Sequence, residues 1–156
     1  MPDHTPLSQK LESALAAYLT GVKSSMSLST TQVLTAHQSA AAVDSPRIVV
    51  QCQSMAPRLI SMPGVMDVVL NVHYISDLET TAETHKTEAA KLISWLCDTE
   101  TIRTALNIAT PDTRTVTGLH IYLLQWAGVE MTADPDRAQH QTTCTLNLIA
   151  MGKDLV

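Results

Sequence analysis

Apolar residues at positions 7, 11, 14, 15 and 18 recur at spacings of three and four, which places Leu7, Leu11, Ala14, Leu15 and Tyr18 on one stripe of a helix. Thr5 suits the N-cap, Pro6 the first helical position and Gly21 the end. Ser8, Gln9, Lys10, Glu12 and Ser13 fill the opposite side, predicting a helix packed on the surface of the fold. The pattern then fades. Residues 22–45 are rich in Ser, Thr, Gln and Ala, and Met26, Leu28, Val33 and Leu34 follow no period. This stretch reads as a long, partly irregular connection or arm, with room for a short strand or helical turn. Connections of that length are uncommon unless they are functional or disordered.

Alternation with a period of two follows. From Pro46, Ile48, Val50 and Cys52 face one way and Val49, Gln51 and Gln53 the other. Residues 55–63, with Pro57 and Pro63, read as a loop, and Gly64 releases a long strand over 65–76. Its apolar side is Met66, Val68, Leu70, Val72 and Tyr74; its mixed side is Asp67, Val69, Asn71, His73 and Ile75. A second helix carries His85, Ala89, Leu92, Ile93 and Leu96, with Glu79, Glu83 and Glu88 toward its N-terminal half and Lys86 and Lys91 later, an order that suits the helix dipole. Asp98 or Thr99 can cap a further short helix with Ile102, Ala105 and Leu106 inward, before a polar loop over 107–116. A third strand over 119–131 is apolar on both sides around residues 121–124, which predicts a central or covered position. Gly128 suggests a bulge in it. After a turn-rich stretch at 133–139, a fourth strand over 142–151 turns Cys144, Leu146, Leu148 and Ala150 inward and Thr143, Thr145, Asn147 and Ile149 outward.

The order α-β-β-α-β-β predicts an α+β domain spanning 1–156. Its architecture is a four-stranded, largely antiparallel sheet with two main helices packed on one face. The other face would present Asp67, Asn71, His73, Thr143, Thr145 and Asn147, which are polar but weakly charged. These six are the candidate subunit-interface residues.

Composition sharpens that candidate. Charged residues are 16% of the 156, Phe is absent, and 20 Thr and 12 Ser supply much of the polarity. A neutral polar surface is easily buried against another subunit, whereas a protein that lives alone usually carries more charge. The net charge of −5, with ten scattered Lys and Arg, argues against a nucleic-acid footprint. No apolar run approaches a bilayer span, and residues 1–10 lack a signal pattern, so no membrane partner is expected.

Chemistry is sparse. Cys52, Cys97 and Cys144 show no paired spacing, and buried thiols in a reducing compartment are the plain reading. Among the six His, His85 has Thr81 and Ala89 four residues away and no ligand on its helical face. His4 and His37 lie in irregular segments, and His140 lies beside the last turn. His73 and His120 would approach only if their strands pair. There is no GxSxG and no glycine-rich phosphate loop. Asp134 and Asp136 flank Pro135 as turn residues. No catalytic residue, cofactor or metal is expected, and the protein reads as a non-enzyme.

Four stretches together carry a resemblance: LAAYLTG at 15–21; PRIVVQCQS at 46–54; GVMDVVLNVHYISD at 64–77, with the later LISWLCDTETIRTALN at 92–107; and TGLHIYLLQW at 117–126. In their order and spacing they resemble the tail terminator and tail-completion (tail-to-head joining) proteins of tailed phages and prophages. The resemblance implies a structural virion protein that forms a ring, typically a hexamer. Such a ring caps the tail tube, ends its polymerisation and offers the docking surface for the head connector. Its partners would be further copies of itself, the tail tube protein and head-completion proteins. It would be assembled in the host bacterial cytoplasm and reside in the virion tail. Two other readings stand beside it. One is a small α+β ligand-binding or regulatory domain with a cleft between sheet and helices. The other is an enzyme with a sparse site around His73, His120 and Asp67.

Overall fold

The structure, a computed structural model, describes residues 6–36, 38, 46–58, 64–77, 80–107, 119–134 and 139–152. In chain order the elements are α1 (Leu7–Val22), β1 (Gln32–Thr35), β2 (Arg47–Pro57), β3 (Val65–Asp77), α2 (Ala82–Leu96), α3 (Thr99–Asn107), β4 (Leu119–Asp134) and β5 (Gln139–Gly152). The strands form one five-stranded sheet in the order β1-β2-β3-β5-β4. β1 runs parallel to β2, and every other pairing is antiparallel.

This corrects the expected architecture. The sheet is mixed and five-stranded, and three helices are seen among the described residues, rather than four strands and two main helices. The additional strand, β1, comes from the aperiodic 22–45 stretch. Four residues are too few for an alternation to stand out. Pairing and packing hold the strand instead: Ala36 N donates to Val50 O at 2.9 Å, Thr31 and Thr35 are buried, and Val33 packs against the core. The helix α3 is a full element capped by Asp98, whose carboxylate accepts from Thr101 N at 3.4 Å and from Thr101 Oγ1 at 2.8 Å.

The core is one continuous cluster between the helices and one face of the sheet. Leu7, Leu11, Leu15 and Leu19 of α1 meet Ile48 and Val50 of β2, Val68, Leu70, Val72 and Tyr74 of β3, and Cys144, Leu146, Leu148 and Ala150 of β5. Leu92 and Leu96 of α2 and Ile102 and Leu106 of α3 complete it. The ends of α1 differ from expectation. Pro6 is itself the N-cap, and Gly21 lies inside the last turn, with Lys23 as C-cap. Its supposed polar face is not wholly outside either: Lys10 and Glu12 are buried, and Glu12 Oε1 accepts from Cys52 N at 2.9 Å.

The expected loop after residue 54 is also corrected in part. The strand β2 continues to Pro57 through a register shift between Cys52 and Ser54. Pro57 is tolerated because no described strand needs its missing N–H on the outer side. The strand β4 is at an edge rather than central, since β5 lies between it and β3. It bulges between Ile121 and Leu123 and again between Trp126 and Gly128, where Gly128 takes φ 151°. The expected Thr5 cap and most of the 107–116 and 133–139 connections lie outside the described residues.

Candidate functional site

The register of β3 and β5 decides where the six candidate interface residues fall. Asn71 stands opposite Thr145, His73 opposite Thr143, Val69 opposite Asn147, and Asp67 opposite Ile149. Val68, Leu70, Val72 and Tyr74 point into the core, so the period of two sends Asp67, Asn71 and His73 to the face away from the helices. All six therefore share one face of the two central strands.

That face is knitted together by side-chain hydrogen bonds. Thr145 Oγ1 donates to Asn71 Oδ1 at 3.1 Å, and Asn71 Nδ2 donates to Gln53 Oε1 at 2.9 Å. His73 Nε2 donates to Gln51 Oε1 at 3.1 Å. This assigns the tautomer, so Nδ1 accepts from Thr143 Oγ1 at 2.8 Å and from Gln141 Nε2 at 3.1 Å. Burial pushes the His73 pKa down, which keeps the ring neutral and the network uncharged at neutral pH. Asp67 makes an exposed ion pair with Arg58 at 2.9 Å, and Asn147 is exposed. An open groove of about 530 Å³ runs along this end, past Ser54, Ala56, Asp67, Val69, Leu123 and Asn147. A second hollow of about 340 Å³ lies at the other end, lined by Arg47, Val49, Gln51, His73 and Gln141. Arg47 Nε there is buried with no hydrogen-bond partner among the described residues.

The sparse enzymatic arrangement does not come together. β3 and β4 do not pair, and the register carries His73 through Thr143 to Glu130, but His120 through Met151 to Val65. His73 and His120 thus sit toward opposite ends of the sheet. His120 packs edge-on against Tyr122, with ring centroids 4.5 Å apart. Among the described residues, no group of three or more His, Cys, Asp or Glu is placed to hold a metal. No described helix is long and apolar enough to cross a membrane. The cysteines are free: Cys144 is buried, Cys52 is half-buried and Cys97 is exposed. Burial, with a smaller contribution from Cys97, pushes the Cys144 thiol up to about 12.

Sequence reasoning missed a second polar cluster, on the helix side. His85 of α2 is buried. Its Nδ1 pairs with Ser76 Oγ at 2.6 Å and its Nε2 with Thr142 Oγ1 at 2.9 Å, tying α2 to β3 and β5. Tyr74 and His140 flank the ring at centroid distances of 5.2 and 5.3 Å. His140 Nε2 donates to Thr80 O at 3.1 Å. Burial, then the neighbouring His140, push the His85 pKa down. Burial, then Glu88, push the Tyr74 hydroxyl up to about 12. The helical spacing of His85 with Ala89, Leu92 and Leu96 was the available signal that it faces inward.

No protein-family model matches the chain, and no curated protein matches it. Among solved structures, it is similar to a chain of the virion of a native gene transfer agent particle. The likeness has a TM-score of 0.55 at 10% sequence identity, and covers 93% of this chain and 96% of the other. The two chains share a fold.

Proposed function

We propose that this protein is a structural component of a phage-type virion and, more narrowly, a tail terminator. Copies of it form a ring, a hexamer in this reading, that caps the tail tube, ends its polymerisation and receives the head connector. The observation that supports this is the fold shared, over nearly the whole of both chains, with a chain of a gene transfer agent virion. The order and spacing of elements that resemble tail terminators point the same way. The protein acts by contact and not by catalysis, and its partners are its own copies, the tube protein and head-completion proteins. It works in the virion tail after assembly in the host cytoplasm. The polar face of Asp67, Asn71, His73, Thr143, Thr145 and Asn147 serves as a docking surface. Its internal hydrogen bonds leave little side-chain entropy to lose on contact.

Deleting the gene from its phage or prophage tests this. The expected result is headless tails of uncontrolled length, restored to normal by the wild-type gene in trans. Head-joined tails of normal length in the deletion would overturn it.

A further inference from the structure

The hollow of about 340 Å³ at one end of the outer sheet face holds a cation that the polar network of that face does not use. Arg47 is the only Lys or Arg in the five described strands. The neighbouring Arg58, just past β2, already pairs with Asp67 at 2.9 Å. Arg47 has no such partner among the described residues: Asp77 and Glu130 stand on the same face of the sheet, and neither forms an ion pair with it. Its Nε is buried and makes no hydrogen bond among the described residues. A buried donor on a cation is costly to leave unpaired, and such a group in a native fold calls for a use.

The walls of the hollow fit one kind of group. Val49 and Ile75, at 6% and 9% exposure, give it an apolar side. Ile75 stands directly opposite Arg47 in the register, and Val49 opposite His73. Gln51, His73 and Gln141 supply the polar side. Gln51 Oε1 is taken by His73 Nε2 at 3.1 Å, which leaves the amide nitrogen of Gln51 as the donor at the rim. Gln141 Nε2 is spent on His73 Nδ1 and Thr143 Oγ1, at 3.1 and 3.2 Å. The hollow thus offers a guanidinium and an amide as donors beside aliphatic surface. A carboxylate on a short aliphatic stem matches both, because its two oxygens accept from the planar fork of an Arg. A doubly charged phosphate would find one cation for two charges.

We propose that this hollow is a carboxylate-binding site, and that it receives the acidic side chain of a second protein docked on the outer sheet face. The hollow is open and has one cation, so a free carboxylate would be held with a dissociation constant on the order of 1–10 mM. Affinity of that size suffices for a side chain whose own protein holds it in place, through effective concentration. An Arg in a recess with an apolar side and a polar rim is also a common form of interface anchor. The site is continuous with the polar face through His73, which lines the hollow and bonds Thr143. The proposal rests on the docking reading of that face for the source of the carboxylate alone.

Propionate, which reproduces the end of a Glu side chain, is titrated to about 100 mM at constant ionic strength, with propionamide and sulfate as controls. The Arg47 Nε–H signal and the backbone amides of Val49 and Gln51 report binding by NMR. The expected result is a saturable shift with propionate, none with propionamide and weaker binding of sulfate. Arg47→Gln removes the cation, and Gln51→Glu sets a competing carboxylate on the same strand face. Both changes lie outside the apolar core, and circular dichroism establishes that each variant folds. Each should weaken propionate binding roughly tenfold or more. No saturable shift, propionamide or sulfate bound as well as propionate, or full binding by either variant overturns the carboxylate site and leaves the virion reading standing. In the gene deletion, both variants should give roughly tenfold fewer head-joined tails of normal length than the wild type, or fewer still. Tails restored by both as well as by the wild type overturn the protein occupant. A lower oligomer mass for Arg47→Gln in sedimentation overturns it too, by assigning the hollow to another copy of this chain. A wild type without effect on tails removes the virion reading and leaves a propionate site that both variants weaken.

Discussion

Replacing His85 by Leu removes a buried side chain whose two ring nitrogens hold Ser76 and Thr142, and the loss should depend on pH. The two hydroxyls belong to residues only 2% and 0% exposed, so water does not readily replace the lost partners. An unpaired buried hydroxyl costs about 1–3 kcal/mol, and burying Leu in place of the imidazole returns up to about 1.5–3 kcal/mol, for a net loss on the order of 1–3 kcal/mol above neutral pH. For a chain of this size the melting temperature should fall by roughly 2–12 °C.

Lowering the pH should then narrow the gap. The His85 pKa is depressed in the fold, so its contribution is fully present above the ordinary histidine value of about 6.5 and is lost as pH falls toward the folded value. Across that window the unfolded chain binds a proton that the folded chain refuses, which costs the wild type about 1.4 kcal/mol per pH unit. His85→Leu removes this term. His73 is shifted in the same direction but is common to both proteins, so it cancels from the difference. Urea unfolding of both proteins at a series of pH values from about 8 to about 5 measures the gap directly. Parallel stability curves would refute a buried, neutral His85 as the tie between α2 and the sheet.

Other substitutions separate strong contacts from weak ones. Leu15→Ala empties a fully buried site of α1 and should cost about 2–5 kcal/mol in urea unfolding. Asn71→Ala leaves Thr145 and Gln53 without their shared partner on a partly wet face, and should cost about 0.5–2 kcal/mol. Asp67→Asn breaks only the exposed pair with Arg58 and should change stability by less than about 0.5 kcal/mol. A thiol reagent at pH 8 should modify exposed Cys97 first and Cys144 only on unfolding, because burial keeps Cys144 as the thiol; prompt modification of Cys144 in the native protein would contradict its placement.

The alternation along β3 and β5 was enough to place Asp67, Asn71, His73, Thr143, Thr145 and Asn147 on one face, because a period of two is dictated by the pleat alone. What lies between elements was less legible. β1 is four residues held by its neighbours, and no local pattern marks a strand whose stability is borrowed. The helix of His85 alone offers it no partner; Ser76 and Thr142 come from two different strands. His73 and His120 invited pairing because sequence does not state strand order, and β5 intervenes. The polarity of Lys10 and Glu12 predicts an outward position, whereas the strand backbone beside α1 supplies a donor that makes burial of Glu12 tolerable.

The strand β4 is the instructive failure. Apolar residues on both sides of residues 121–124 predict a strand that is central or covered. The fold puts β4 at the edge, with Tyr122, Leu123, Val129 and Met131 exposed. Pattern and position conflict within the monomer, and a sequence that specifies its structure consistently should not carry such a conflict without a reason. The two bulges in β4 protect its edge only in part, since they add twist but leave the apolar side chains in water.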